Sequence, residues 1–197
     1  MVYLRRSLMI TQQNYIENCN IVLDECTRAL QSVDLDSVAD YLRILIEAEK
    51  VFFVGVGRVL LSLKSMCKRY SHLGINATVV GDITEPAMTE KDVLIVGSGS
   101  GETLIPLSIA KKAKKIGATI IHIGSNPESS LSKYTDLFIR IPVSSKLKRT
   151  DEIISQQPMT SLFEQSLLLF GDITAMMILE GKNLPLEDLW EFHANLE

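Results

Sequence analysis

Short aliphatic runs alternate along the chain with longer segments in which apolar residues recur every three or four positions. Residues 93–96 are aliphatic without a break, which is typical of a strand buried on both faces of a parallel sheet. The predicted strands are residues 51–54, 77–80, 93–96, 119–123 and 137–141. Because helical segments separate these strands, the pattern predicts an α/β fold. We expect a five-stranded parallel sheet in the flavodoxin-like order 2-1-3-4-5, with helices on both faces.

Two further helices are predicted ahead of the first strand. One extends from Ser7 to about Gln31, without glycine or proline. The second is capped by Asp34 or Asp36 and continues through Ala48. Its apolar face is formed by Val38, Tyr41, Leu42, Leu45 and Ile46.

Residues 143–157 are polar and are predicted to be a surface excursion. The carboxyl-terminal region that follows is predicted to be helical. Residues 160–180 are apolar on nearly every side, which indicates burial against more than one partner. In a chain of 197 residues the second partner is expected to be another subunit. A short helix at 186–195 follows. We therefore predict a single domain over 1–197, with amino-terminal helices at about 7–48 and carboxyl-terminal helices at about 159–195.

Composition narrows the classes of function. The net charge is −4 and no basic block is present, which argues against nucleic acid as a partner. The amino terminus lacks the apolar run of a signal peptide, and no apolar stretch approaches the roughly 20 residues of a membrane span, so no membrane partner is expected. Cys19, Cys26 and Cys67 have no CxxC spacing, and three histidines are too few for a zinc site. We expect reduced thiols in a cytoplasmic protein, and no metal.

The loop after the third strand carries the strongest chemical signal. Residues 97–103 interleave three glycines with Ser98, Ser100 and Thr103, and a helix follows. A buried strand that leads through such a loop into a helix directs backbone N–H groups and the positive helix end toward one point. The three hydroxyls add donors there, and the glycines allow a ligand to approach the backbone closely. The loop predicts an anion site that suits a phosphate; a simple turn is the alternative.

A second loop is expected to meet the first. Gly55, Gly57 and Arg58 follow the first strand, which neighbours the third in the predicted order. Connections from these two strands leave in opposite directions, and ligands bind in the crevice that this creates. Gly55 and Gly57, together with Asp82 at the end of the second predicted strand, also fit a dinucleotide-binding fingerprint. Leu60 stands where that fingerprint needs its third glycine, and the fingerprint gives residues 97–103 no role, so it is the weaker hypothesis.

Several motifs together resemble a known family. The loop at 97–103 is similar to that of the sugar isomerase (SIS) fold, which binds phosphosugars there. The wider pattern resembles 6-phospho-3-hexuloisomerase over residue 51 to the end. The stretches that carry the likeness are residues 55–58, 69–74, 80–82, 97–103, 126–130, 157–165 and 193–197, with Pro86. The resemblance implies interconversion of a 3-ketohexose 6-phosphate and fructose 6-phosphate, a homotetramer and no cofactor.

The implied reaction assigns roles to individual residues. Moving a carbonyl to the next carbon through an enediol needs a base and a group that shuttles protons between the oxygens. We predict Glu164 as the base and His193 as the proton-transfer group. Glu164 is expected to be partly buried in an apolar helix, which suits a base. The alternative is that Glu164 has no catalytic role and only offsets the helix dipole. The predicted substrate- and phosphate-binding residues are Gly57, Arg58, Ser98, Gly99, Ser100, Glu102 and Thr103.

Four other residues could have structural roles in place of functional ones. Glu102 could be structural, and Arg58 could serve in a surface ion pair. His72 is expected to order structure near the end of a helix, and His122 to be a packed, neutral histidine within a strand.

The first loop departs from the family pattern. The family has Gly-x-Gly-Arg-Ser-Gly there, whereas Val59 and Leu60 replace the serine and the glycine. One hydroxyl donor is therefore missing from the predicted phosphate-binding site, which we call the phosphate seat. This departure keeps a second hypothesis open, a non-catalytic SIS protein that senses a phosphosugar without converting it.

Overall fold

Five parallel strands form one sheet in the order β2-β1-β3-β4-β5. In the computed structural model, which describes residues 11–144, 149–183 and 185–196, the strands are β1 (Val51–Val54), β2 (Ala77–Val79), β3 (Val93–Gly97), β4 (Thr119–Gly124) and β5 (Leu137–Arg140). All neighbouring pairs are parallel, so the carboxyl ends of the strands share one edge. The predicted α/β class and strand order are thus confirmed.

Helices follow the strands as the periodicity predicts. The α-helices of the described residues are α1 (Gln12–Gln31), α2 (Leu35–Glu47), α3 (Gly57–His72), α4 (Leu104–Ile116) and α5 (Ser161–Lys182). The predicted cap Asp34 accepts a hydrogen bond from the Ser37 N–H at 2.9 Å. Gly74 and Gly117 end α3 and α4 with φ of +77° and +98°, a conformation that glycine adopts without steric cost.

The three central strands, β1, β3 and β4, bury both of their faces. Val51 and Phe53 point into a core that also contains residues of α1, α2, α3 and α5. Phe52 and Val54 point into a second core, which residues of α4 complete. Consequently α3 leaves β1 toward one face of the sheet and α4 leaves β3 toward the other. Because β1 and β3 are hydrogen-bonded neighbours, a crevice opens between their carboxyl ends.

Helix α5 is the central helix of the first core. Its buried side includes Leu162, Phe163, Leu167, Phe170 and Ile178 and packs against α3 and α1. By length and composition alone α5 could also cross a membrane, yet here it forms the core of the domain. Its opposite side leaves four large apolar side chains 38–61% exposed within one chain: Leu169, Ile173, Met176 and Met177.

The terminal helices differ from their predicted boundaries. Residues 7–10 of the predicted first helix lie outside the described residues, and described α1 starts after Thr11, whose hydroxyl accepts from the Asn14 N–H. The predicted last α-helix is a 3₁₀ helix, Leu186–Phe192. None of its residues is fully buried, and Leu189 packs only in part against the first core, so little packing stabilises a longer helix there. A second 3₁₀ helix, Ser130–Tyr134, lies before β5.

The polar segment at 143–157 was expected to be a surface excursion, and this is wrong in part. Val143 is 1% exposed and pairs with Ile153 in an isolated parallel bridge. Glu152 is also buried, and it accepts a hydrogen bond from the Ser125 hydroxyl at 3.0 Å. The excursion is therefore anchored to the carboxyl edge of the sheet, which its polar composition did not indicate.

Candidate active site

A cleft of about 270 Å³ opens at the carboxyl edge of the sheet, where the loops after β1 and β3 meet. It is lined by most of the residues predicted to bind substrate or to act as base, namely Gly57, Arg58, Ser98, Gly99, Ser100, Thr103 and Glu164. The other lining residues are Val56, Val59, Gly97, Ser125, Val143, Ser144, Thr160 and Phe163. Two predicted site residues, Glu102 and His193, do not line it.

Three helices begin at this cleft, and their first turns lack side-chain caps. The residues at the cap positions of α3, α4 and α5 are Val56, Thr103 and Thr160, and none of them caps its helix with a side-chain hydrogen bond. By contrast α1 and α2, which begin elsewhere, are capped by Thr11 and Asp34. Uncapped first turns present N–H groups and a positive dipole end, so the cleft is suited to an anion.

The loop between β3 and α4 is held from behind. The Ser98 hydroxyl accepts a hydrogen bond from the Gly101 N–H at 3.0 Å, and Ser98 is 4% exposed. The N–H groups of Ser125 and Asn126 both donate to the Gly99 carbonyl, at 3.0 and 3.1 Å. Ser98 is thus partly a structural residue, while the half-buried hydroxyls of Ser100 and Thr103 face the cleft as donors for a ligand.

Gly101 is the residue that lets this loop turn. Its φ is +66°, a left-handed conformation that residues with a side chain rarely adopt. A Cβ placed there would lie 2.2 Å from the Ser129 hydroxyl oxygen. Both observations explain why glycine occupies this position of the loop.

His122 supports the same loop from the sheet, as the sequence indicates. It is 1% exposed, its Nε2 lies 2.9 Å from the Ser98 carbonyl oxygen, and its ring lies against Phe138 at 4.9 Å. Burial lowers the pKa of His122 to about 4. The imidazole is therefore neutral near pH 7, and the expectation of a packed, neutral histidine is confirmed.

Glu102 lies in the loop but turns away from the cleft. Its carboxylate accepts a hydrogen bond from the Ser130 N–H at 2.6 Å, and hydrogen bonds from Ser130 lower the pKa of Glu102. It thereby joins the loop to the start of the 3₁₀ helix Ser130–Tyr134. In this structure Glu102 has the structural role that was its alternative, and substrate contact stays a prediction.

Glu164 forms one wall of the cleft and is 7% exposed. Arg58 pairs with one carboxylate oxygen through its Nε–H, and the Thr160 hydroxyl donates to the other at 2.9 Å. The backbone of Glu164 is fixed as well, since the Ser62 hydroxyl donates to its carbonyl at 2.7 Å. A buried, oriented carboxylate next to an anion site can remove a proton from a carbon of a bound phosphorylated sugar.

His193 is not brought near Glu164 within one chain. Its ring lies 5.0 Å from that of His72, the last residue of α3, and 5.0 Å from that of Trp190. Arg58, the partner of Glu164, is the second residue of the same helix. A helix of 16 residues is about 24 Å long, so the two predicted catalytic groups lie near opposite ends of α3.

Val59 fills the floor of the cleft at the position where the family has serine. A Cβ on Gly97 would lie 2.9 Å from Val59 Cγ1, and one on Gly55 would lie 3.3 Å from it. Both glycines therefore make room for the Val59 side chain between β1 and β3. The departure from the family pattern is accommodated by packing and leaves the fold intact.

Sequence reasoning missed Ser125 and Thr160 as site residues. Ser125 follows β4, whose carboxyl end lies beside that of β3, so its position after a strand was the available signal. Thr160 precedes α5, and only the tertiary approach of that helix brings it to the cleft. Among the described residues, no group of three or more histidine, cysteine, aspartate or glutamate side chains is placed to hold a metal ion.

Comparison with known proteins places the chain in a family. Residues 44–171 match the SIS domain family. A 3-hexulose-6-phosphate isomerase of Bacillus subtilis (strain 168) is 40% identical over 168 residues, which cover 85% of this chain and 89% of that protein. A protein of the same name from Mycobacterium gastri is 34% identical over 191 residues, covering 97% of this chain and 96% of that protein.

A solved structure agrees with these relatives. The crystal structure of a Methanococcus jannaschii protein, which infers a molecular function of 3-hexulose-6-phosphate isomerase, matches with a TM-score of 0.80 at 30% identity. The match covers 92% of this chain and 99% of that one. The chain therefore belongs to the SIS domain family, and its resemblance to the 6-phospho-3-hexuloisomerases, which the motifs indicate, is confirmed.

Proposed function

We propose that this protein is an isomerase that interconverts a 3-ketohexose 6-phosphate and fructose 6-phosphate. The observation that carries the proposal is the combination in one cleft of three uncapped helix starts and an oriented carboxylate, Glu164. The relatives named 3-hexulose-6-phosphate isomerase support the same reaction.

The geometry supports separate roles for the residues that bind the phosphate and the residue that acts as base. The phosphate lies against the start of α4, where Ser100, Thr103 and backbone N–H groups donate to it. Glu164 removes a proton from the carbon beside the carbonyl while His193 protonates the carbonyl oxygen, which gives an enediol. The neighbouring hydroxyl then gives its proton to His193 and becomes the new carbonyl, as Glu164 returns its proton to the former carbonyl carbon. Arg58 lines the cleft and pairs with Glu164, which supports a contact of its guanidinium with the negative charge of the substrate.

Assembly is part of the proposal. The exposed apolar side of α5 (Leu169, Ile173, Met176 and Met177) suits a subunit interface, and we infer a homo-oligomer, most simply a tetramer with two-fold axes. In such an assembly His193 serves the cleft of a neighbouring chain, because its own Glu164 is too distant. We further infer a cytoplasmic protein that works without a cofactor, nucleic acid or membrane.

Proton exchange tests the isomerase function. Fructose 6-phosphate incubated with the protein in D₂O should gain deuterium at the carbon beside its carbonyl, because the enediol exchanges its proton with solvent. Mass spectrometry or proton NMR measures the incorporation. If every ketose phosphate tried binds without proton exchange, the result would favour the phosphosugar sensor. The observation that supports a sensor is Val59, which lacks the hydroxyl that the family has at this position.

The phosphate seat has its own prediction. Replacing both Ser100 and Thr103 by alanine removes two donors to a charged acceptor, each worth roughly 1.5–3 kcal/mol. Sugar phosphate should therefore bind at least about 100-fold more weakly, as measured by calorimetry.

A matched control is Ser108→Ala, which removes an exposed hydroxyl from the same helix α4, outside the cleft. Its affinity should equal that of the wild type. If the double variant also binds like the wild type, the phosphate seat lies elsewhere.

A further inference from the structure

Helix α1 carries a buried carboxylate that holds the segment ahead of α5. Glu25 is 2% exposed, although most residues of α1 face solvent. Its carboxylate accepts hydrogen bonds from the Ser155 hydroxyl at 2.6 Å, from the Gln156 N–H at 2.7 Å and from the Gln157 side-chain amide at 3.0 Å. A carboxylate is costly to bury, and three donors directed at it offset that cost. Burial acts to raise the pKa of Glu25, but these hydrogen bonds lower it on balance.

The segment held by Glu25 ends in a strained turn. Met159 has φ of +58°, a left-handed conformation that is uncommon for a residue other than glycine or asparagine. Its side chain is 89% exposed, so side-chain packing does not maintain this conformation. Such strain persists only where surrounding contacts enforce it, and it clusters at functional sites.

The turn at Met159 leads directly into the catalytic wall of the cleft. Thr160 is the next residue, and its hydroxyl donates to the Glu164 carboxylate. The N–H of Glu164 in turn donates to the Thr160 carbonyl at 3.1 Å. On the far side of the turn, Cys26, the neighbour of Glu25, donates from Sγ to the Gln165 side-chain oxygen at 3.4 Å. Helix α1 therefore forms hydrogen bonds with the chain both before and after the strained turn.

We propose that Glu25 is a positioning residue, which holds the strained turn at Met159 so that Thr160 orients the Glu164 carboxylate in the cleft. The proposal rests on the proposed role of Glu164 as base. It assigns a role in the reaction to a helix that does not line the cleft. It also separates the positioning of the base from the phosphate seat, which belongs to the loop between β3 and α4.

Hydrogen exchange tests the positioning directly. Glu25→Gln replaces one acceptor oxygen by an amide donor that faces three donors. Backbone amides of residues 155–164 should exchange at least about ten-fold faster, while those of residues 98–103 keep the wild-type rate. Asp24→Asn is the matched control, since it removes a charge from the adjacent residue of α1, whose side chain is 68% exposed. It should leave both segments at the wild-type rate.

Steady-state kinetics supply the readout that a merely structural role would not move. In Glu25→Gln, kcat should fall about ten-fold or more, while KM for the sugar phosphate stays within about two-fold of the wild type. Asparagine accepts the left-handed conformation more readily than methionine does, so adding Met159→Asn to Glu25→Gln should restore several-fold of the lost kcat. Should Glu25→Gln fail to fold, Ser155→Ala removes only one of the three donors, and it should show the same local pattern with a smaller change.

Three results would overturn the proposal: unchanged exchange at residues 155–164, an equal rise at residues 98–103, or wild-type kcat in Glu25→Gln. A double variant no faster than Glu25→Gln would also count against it. A wild-type protein without turnover would instead defeat the proposed isomerase function, and the exchange rates would still decide whether Glu25 holds the turn.

Discussion

Glu164→Gln should lower the turnover of fructose 6-phosphate by at least about 100-fold and leave the sugar phosphate bound. Glutamine keeps the size of the side chain but cannot accept the proton that enediol formation releases. Binding is retained because the phosphate donors belong to another element, the loop between β3 and α4. The substitution also frees Arg58 from its ion pair, so affinity for the phosphate should hold or rise. Deuterium incorporation measures the turnover, and calorimetry measures the binding.

The control for this substitution lies in the same helix. Glu180→Gln makes the same chemical change at the exposed far end of α5, about 24 Å from Glu164 along the helix, and should keep full turnover. Wild-type exchange in Glu164→Gln would remove the proposed base. If the wild-type protein itself shows no exchange and Glu164→Gln leaves affinity unchanged, the protein would instead be a sensor.

Mixed oligomers should recover activity that each parent variant lacks. Glu164→Gln lacks the base, and His193→Ala lacks the proton-transfer group, so each variant alone should be strongly impaired. Within one chain these groups lie near opposite ends of α3, which makes a complete site from two chains the simpler arrangement. Random assembly of equal amounts would give about a quarter of the sites one intact copy of each group, and turnover should rise to about a quarter of the wild-type value.

The test is to unfold and refold the two variants together and to compare them with the same variants refolded apart and then mixed. Activity should appear only in the first sample. Equal activity in both samples, or none in either, would contradict a site shared between chains. A stable monomer by light scattering at micromolar concentration would contradict the assembly itself.

The sheet could be predicted because its signals are local. Unbroken apolar runs of four residues at 51–54 and 93–96 are typical of buried strands, and the helices between them require parallel crossovers. The loop predicted to bind phosphate was equally visible, since its glycines and hydroxyls lie between a strand and a helix. The predicted strand order also indicated that the loop after β1 would lie next to it.

Other features depend on contacts between residues far apart in sequence. The pairing of Arg58 with Glu164 joins positions 106 residues apart, and the hydrogen bonds of Glu25 span about 130 residues. Periodicity contains no information on either. Glu102 belongs to the loop motif, but in this structure its carboxylate accepts a hydrogen bond from the Ser130 N–H, a contact that the loop motif does not indicate.

The meeting of three helix starts has a consequence for how the protein behaves in a cell. The positive ends of α3, α4 and α5 repel one another while the cleft is empty, and a bound phosphate group attracts all three at once. The substrate then acts as a cross-link between elements that approach the cleft from different parts of the sequence. Stability gained in this way grows with the logarithm of ligand concentration. The lifetime of the folded protein would therefore follow the supply of its own sugar phosphate, and the protein would be most easily degraded when that metabolite is scarce.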